Sequence, residues 1–292
     1  MNEMASLVRP FFCIIIWSLN QTIVQKNRTT SSGKPDFPVN SSAYSTLQQM
    51  MSVNDIFLSS EEYLMKHEHH VVQSPATPAE QLILLFHGVG DNPVSMGSIG
   101  EYFAQAFPHS LVVSIGSPHL IPGGQGLQWF SVSGVTEENR IERVNEAMPQ
   151  FIDIVRYWQR VADVNPAATA LVGFSQGAIM ALEAVKAVPN LAGRVVSFSG
   201  RFAALPEKDL GDTVVHMIHG SEDRVIAIEN AQRAAEKMRE QGSDFTLDIE
   251  PIGHAIDQNM MDLALERLRA YIPQRYWDEA ISGKRGDLIA FK

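Results

Sequence analysis

The sequence predicts an α/β domain of three layers, a mostly parallel central sheet with helices on both faces, and three observations point to it. From Met65 onward, short apolar runs alternate with longer amphipathic ones, the pattern of βα units. Each short run ends in Gly, Pro or a polar turn, as strands do where they leave a sheet. The chain has 292 residues, 45% of them hydrophobic and 19% charged, which suits one large core.

In chain order, strands are expected at Leu82 to Phe86, Leu111 to Ile115, Thr169 to Phe174, Arg194 to Phe198, Val214 to His219 and Phe245 to Glu250. Helices are expected at Glu137 to Ala162, Gln176 to Ala187, Ile228 to Gln241 and Asn259 to Tyr271. In the last, Met260, Leu263, Ala264, Arg267, Leu268 and Tyr271 keep a largely apolar stripe at helical spacing. Between Phe198 and Val214 the chain is short and rich in Ala, Pro, Gly and charge, so no helical lid is expected there. A site without a lid suits soluble esters or thioesters that enter from water.

Residues 1 to 64 read as an N-terminal extension, poorly ordered or an upstream start, with Met65 as an in-frame alternative that leaves a complete domain at 65 to 292. Gln25 to Ser60 is rich in Ser, Asn, Thr and Gln and keeps no period. The apolar run Phe11 to Trp17 is too short for a span of about 20 residues, and no small-residue cleavage site follows it. No stable membrane insertion is expected. The formal net charge of -10 opposes nucleic acid and anionic lipid as partners. One cysteine, Cys13, allows no intramolecular disulfide and makes the cytoplasm the default location. The cluster Lys66-His67-Glu68-His69-His70 is read as a solvated strand start, because alternation along a strand would scatter its side chains over both faces. No metal site is expected.

The chemistry is carried by Gly173-Phe174-Ser175-Gln176-Gly177, placed where a buried strand gives way to a helix. Two flanking glycines permit the sharp turn of a nucleophile elbow, and the helix directs its positive end at the serine. A serine hydroxyl needs a base to take its proton, and the base needs an orienting group. Asp223 lies in the loop after the strand that starts at Val214, and His254 in the loop after the next one. Ser, Asp, His is the chain order of α/β-hydrolases. Glu222 stands beside Asp223 as an alternative acid, but the shorter carboxylate suits a tight loop. His219 is the rival base, and position favours His254. The turn His87-Gly88-Val89-Gly90 ends an early strand, where Val89 N–H can serve as one oxyanion donor; Gln176 N–H, after the nucleophile, is the other.

Taken together, Phe86 to Pro93, Gln128 to Val132, Gly173 to Ala178, His219 to Asp223 and Gly253 to Asp257 make the chain resemble the carboxylesterase/phospholipase/acyl-protein thioesterase branch of the α/β-hydrolases, from about Met65 to Gly283. The resemblance implies a Ser175, Asp223, His254 triad, an oxyanion hole from Val89 and Gln176, and hydrolysis of short to medium acyl esters through an acyl-enzyme. It implies no cofactor. Trp129 falls where the family has a Trp-Phe pair lining the site, and it is equally readable as a core aromatic. The expected partner is a small-molecule acyl ester, with self-association as a homodimer left open. Acyl thioester or lysophospholipid hydrolysis is the neighbouring reading, and a catalytically idle hydrolase fold used for binding is the distant one.

Overall fold

A computed structural model of the chain describes residues 68–273 and Tyr276. The expectations for residues 1 to 64, for Phe11 to Trp17, for a start at Met65 and for Lys66 and His67 lie outside the described residues.

The elements run β1 (His69–Gln73), β2 (Gln81–Phe86), α1 (Pro93–Ala106), β3 (Ser110–Ile115), β4 (His119–Leu120), β5 (Leu127–Gln128), α2 (Glu137–Ala162), β6 (Thr169–Phe174), α3 (Gln176–Ala187), β7 (Arg194–Phe198), β8 (Val214–Gly220), α4 (Glu229–Glu240), β9 (Phe245–Glu250) and α5 (Gln258–Ala270). The main sheet has seven strands in the order β1-β3-β2-β6-β7-β8-β9. Only the edge strand β1 is antiparallel to its neighbour; every other pair is parallel. The six expected strands and four expected helices are all present, within two residues at each end. Segment 199–213 holds no helix, so no lid is inserted there.

Parallel strands buried on both faces send alternate side chains to opposite cores. Leu82, Leu84 and Phe86 of β2 face the larger core, shared with α2, α3 and α4. Ile83 and Leu85 face the second core, filled from α1 by Met96 and Phe103 and from α5 by Met260 and Ala264. The same division acts on the histidines of β1. The His69 ring lies edge-on to Trp158 of α2 at 5.2 Å, whereas His70 packs where a Cβ on Gly97 of α1 would sit.

Three elements were not expected from the pattern: α1 and the two-residue strands β4 and β5, which pair with each other. Helix α1 starts at Asn92, whose side chain accepts the Val94 and Ser95 N–H groups, with Pro93 in the first turn. Its glycines let it lie close on the sheet; a Cβ on Gly100 would stand 2.8 Å from Val72. Among the described residues no helix is long and apolar enough to cross a membrane.

The register aligns the strand ends. Phe86, Gly173, Ser197, Met217 and Leu247 stand level across five neighbouring strands, so the loops after β2, β6, β8 and β9 emerge along one edge. Ligands of open α/β sheets bind at such carboxyl ends.

Candidate active site

Ser175 occupies the turn between β6, in the middle of the sheet, and α3. Its backbone has φ 52° and ψ -113°, a conformation disfavoured by any residue with a Cβ. Two backbone bonds hold it there: Ser175 N–H donates to Phe198 O at 3.0 Å, and Ile179 N–H donates to Ser175 O at 3.0 Å. Glycine at 177 is a steric requirement, since a Cβ there would lie 2.2 Å from the Phe86 carbonyl oxygen. This close approach brings the start of α3 against the end of β2.

His254 and Asp223 come from the loops after β9 and β8. Ser175 Oγ–H is 2.8 Å from His254 Nε2, and His254 Nδ1–H is 2.7 Å from Asp223 Oδ2. A carboxylate can only accept, so the proton sits on Nδ1 and leaves Nε2 free to accept from the serine. Asp223 Oδ1 accepts the Val225 and Ile226 N–H groups at 2.8 and 2.9 Å. Burial of Asp223 would raise its pKa, but the hydrogen bond from His254 and the two backbone N–H groups hold it below the ordinary carboxylate value. The Asp223 side chain is buried and Glu222 is exposed, so the structure sets Asp223 and not Glu222 against the imidazole. The two loops interlock through Glu222 N–H, which donates to Ile252 O at 3.0 Å.

His219 does not reach the serine. It is buried beside Asp223, its Nε2 2.8 Å from Ile226 O and 3.4 Å from Asp223 Oδ2.

The turn after β2 lies on the other side of Ser175; a Cβ on Gly88 would be 3.5 Å from Ser175 Cβ. The N–H groups of Val89 and Gln176 have no hydrogen-bond partner among the described residues, while the adjoining Gly90 and Ser175 N–H groups are bonded. Gly90 N–H donates to Leu127 O at 2.8 Å and Leu127 N–H to Asp91 O at 2.9 Å, which ties the turn to β5. His87 is fully buried and satisfied as the neutral ring: its Nδ1–H faces Gly88 O at 2.6 Å and its Nε2 accepts Ser117 N–H at 3.0 Å. Burial pushes its pKa below the usual histidine value, against the opposing pull of the Gly88 carbonyl and Asp91.

Trp129 stands behind this turn, 2% exposed, among Phe86 and Phe151. Its indole N–H donates to His87 O at 3.0 Å, so its contact with the site runs through the backbone of the turn. Gln176 has a second role that its position in the motif gave no hint of. Its side chain accepts Trp129 N–H and donates to Phe130 O, both at 2.7 Å, joining the start of α3 to the strand exit after β5.

Such an assembly can move a proton from a serine hydroxyl to an imidazole whose new charge faces a buried carboxylate. It also leaves two backbone donors for an oxygen that gains charge nearby.

A family model described as Phospholipase/Carboxylesterase matches residues 67–272. Esterase YpfH of Escherichia coli (strain K12) is 57% identical over 225 residues, which cover 76% of this chain and 97% of that protein. Acyl-protein thioesterase 1 of Kluyveromyces lactis is 28% identical over 176 residues, covering 54% of this chain and 76% of that protein. Among solved structures, esterase PE8 is similar with a TM-score of 0.65 at 28% identity, over 71% of this chain and 100% of that one. With its sheet order, its strand-turn-helix at Ser175 and these matches, the chain belongs to the phospholipase/carboxylesterase family of α/β-hydrolases.

Proposed function

We propose that this carboxylic ester hydrolase cleaves short to medium acyl esters through an acyl-enzyme on Ser175. The observation that carries the reading is the unbroken series of two hydrogen bonds, 2.8 and 2.7 Å, from Ser175 through His254 to Asp223. In the first half, Ser175 Oγ attacks the ester carbonyl carbon while its proton passes to His254 Nε2. The carbonyl oxygen takes the negative charge and is met by the N–H groups of Val89 and Gln176. The intermediate collapses as His254 returns the proton to the departing alcohol, leaving the acyl group on Ser175. In the second half, water gives a proton to His254 and attacks the acyl carbon. Collapse then returns the proton to Ser175 Oγ and releases the carboxylic acid.

Asp223 holds the imidazole in the required tautomer and faces the charge that forms on it. Trp129 contributes to substrate binding through the turn it supports from behind. No metal or cofactor enters any step of this scheme. A single cysteine and a net charge of -10 favour a reducing cytoplasm and a small-molecule substrate.

The test is hydrolysis of short-chain p-nitrophenyl esters. Ser175→Ala is expected to abolish it with an unchanged circular dichroism spectrum, and to abolish labelling by a fluorophosphonate; full activity in this variant would refute the reading. Similarity to a protein named acyl-protein thioesterase 1 favours thioesters as the second substrate class. A series of acyl chain lengths on matched oxygen and sulfur esters decides between the two.

A further inference from the structure

His219 is a buried histidine that the catalytic scheme leaves unused, and its surroundings are specific. It is the penultimate residue of β8, is 1% exposed, and lies four residues before Asp223 in the chain. Its Nε2 faces two acceptors, the Ile226 carbonyl at 2.8 Å and Asp223 Oδ2 at 3.4 Å. Neither acceptor can donate, so Nε2 carries the proton. Its Nδ1 is buried without a hydrogen-bond partner among the described residues, which suits a neutral ring and not an imidazolium. Asp223 Oδ2, the oxygen that accepts from His254, thus also lies 3.4 Å from His219 Nε2, whose hydrogen bond goes to the Ile226 carbonyl. The other oxygen, Oδ1, is held by the N–H of Ile226, the same residue whose carbonyl His219 holds. One imidazole thus braces both ends of the turn that aims the carboxylate.

We infer that His219, as a neutral Nε2–H donor, is a positioning residue that fixes the Asp223 carboxylate against His254. This rests on the reading of Ser175, His254 and Asp223 as the working set. Burial lowers the His219 pKa, opposed by the Ile226 carbonyl and Asp223 and assisted by His254, which favours the uncharged ring that its hydrogen bonds already require. Asp223 and His254 are the titratable groups that face it. Without His219 the carboxylate gains freedom, and the imidazolium formed at His254 during turnover loses part of its counter-charge.

The experiment compares His219→Leu and His219→Asn, which cannot reach the Ile226 carbonyl, with His219→Gln, whose amide can occupy the Nε2 position. The first two are expected to lose kcat by roughly tenfold, the scale of one buried hydrogen bond, with KM nearly unchanged. The acid limb of their kcat/KM profile moves to lower pH, and His219→Gln recovers most of the rate and the native limb. A purely structural histidine would change thermal stability without moving that limb. Nitrogen NMR of the unmutated protein provides a second measurement: the signal assigned to His219 is expected to be that of a neutral Nε2–H ring that titrates below the usual histidine range. Native kcat and native pH profile in the Leu and Asn variants would overturn the inference, as would loss without rescue by Gln, or a His219 ring protonated at Nδ1. Activity surviving in Ser175→Ala would instead remove the reading on which it rests.

Discussion

Ser175 stores backbone strain at the turn between β6 and α3. A residue with a Cβ at φ 52°, ψ -113° gives up on the order of 1–3 kcal/mol, because only glycine reaches that region freely. Replacing the serine with glycine relieves this and returns a smaller entropy cost of roughly 0.4–1 kcal/mol to the unfolded chain. Ser175→Gly is therefore expected to be more stable than Ser175→Ala by about 1 kcal/mol in urea unfolding, with both inactive; equal midpoints would show that the elbow is unstrained. The two variants lose the same hydroxyl, so the difference isolates the backbone. Some side-chain placements were readable in advance because they depend on short-range geometry. Asp223 reaches the Val225 and Ile226 N–H groups two and three residues ahead, a local turn that favours the shorter acid over Glu222. The side-chain role of Gln176 was not readable, since its partners Trp129 and Phe130 lie more than 40 residues away and no local pattern announces them.

At the level of elements, the strands β2, β3 and β6 to β9 and the helices α2 to α5 were legible because their apolar residues recur with a clear period or run unbroken. Helix α1 was not. Gly97 and Gly100 lower its propensity and thin its apolar stripe, and it forms because close packing on β1 and β3 outweighs that preference. Strands β4 and β5 are two residues each, too short for any period to register. That pair nonetheless bears on the site. Gly126, at φ 97°, lies against Gly90 so closely that a Cβ would stand 2.2 Å from the Gly90 oxygen. Gly126→Ala must push the turn after β2 toward or away from Ser175. Displacements near 1 Å cost up to roughly 10²-fold in rate, so a large fall in kcat is expected. The urea midpoint should fall as well, because a Cβ at φ 97° against the Gly90 backbone adds strain on the order of 1–3 kcal/mol. Native kcat in Gly126→Ala would detach β4 and β5 from the chemistry.

Over the whole molecule, the three-layer plan was readable from alternation alone, whereas the unequal depth of its parts was not, because burial is decided by which strand ends up at an edge. The serine belongs to the deep part. Helix α3 buries ten residues in a row from Gln176 to Val185, and β6 is covered on both faces. The histidine belongs to the shallow part: β9 is an edge strand of mostly half-exposed residues, and α5 buries only Met260 and Ala264. His254 sits on the connection between them, with Asp257 capping α5 through the Met260 N–H at 2.9 Å. Segments with few buried groups open at lower free energy than the core they rest on. On warming, ester hydrolysis is expected to decline reversibly before far-ultraviolet dichroism does, and amide exchange in β9 and α5 should outpace that in β6; coincident curves would mean that the sheet and its edge open as one unit. If activity falls first, the temperature optimum of this enzyme reports the undocking of its edge, well short of the melting point of the protein.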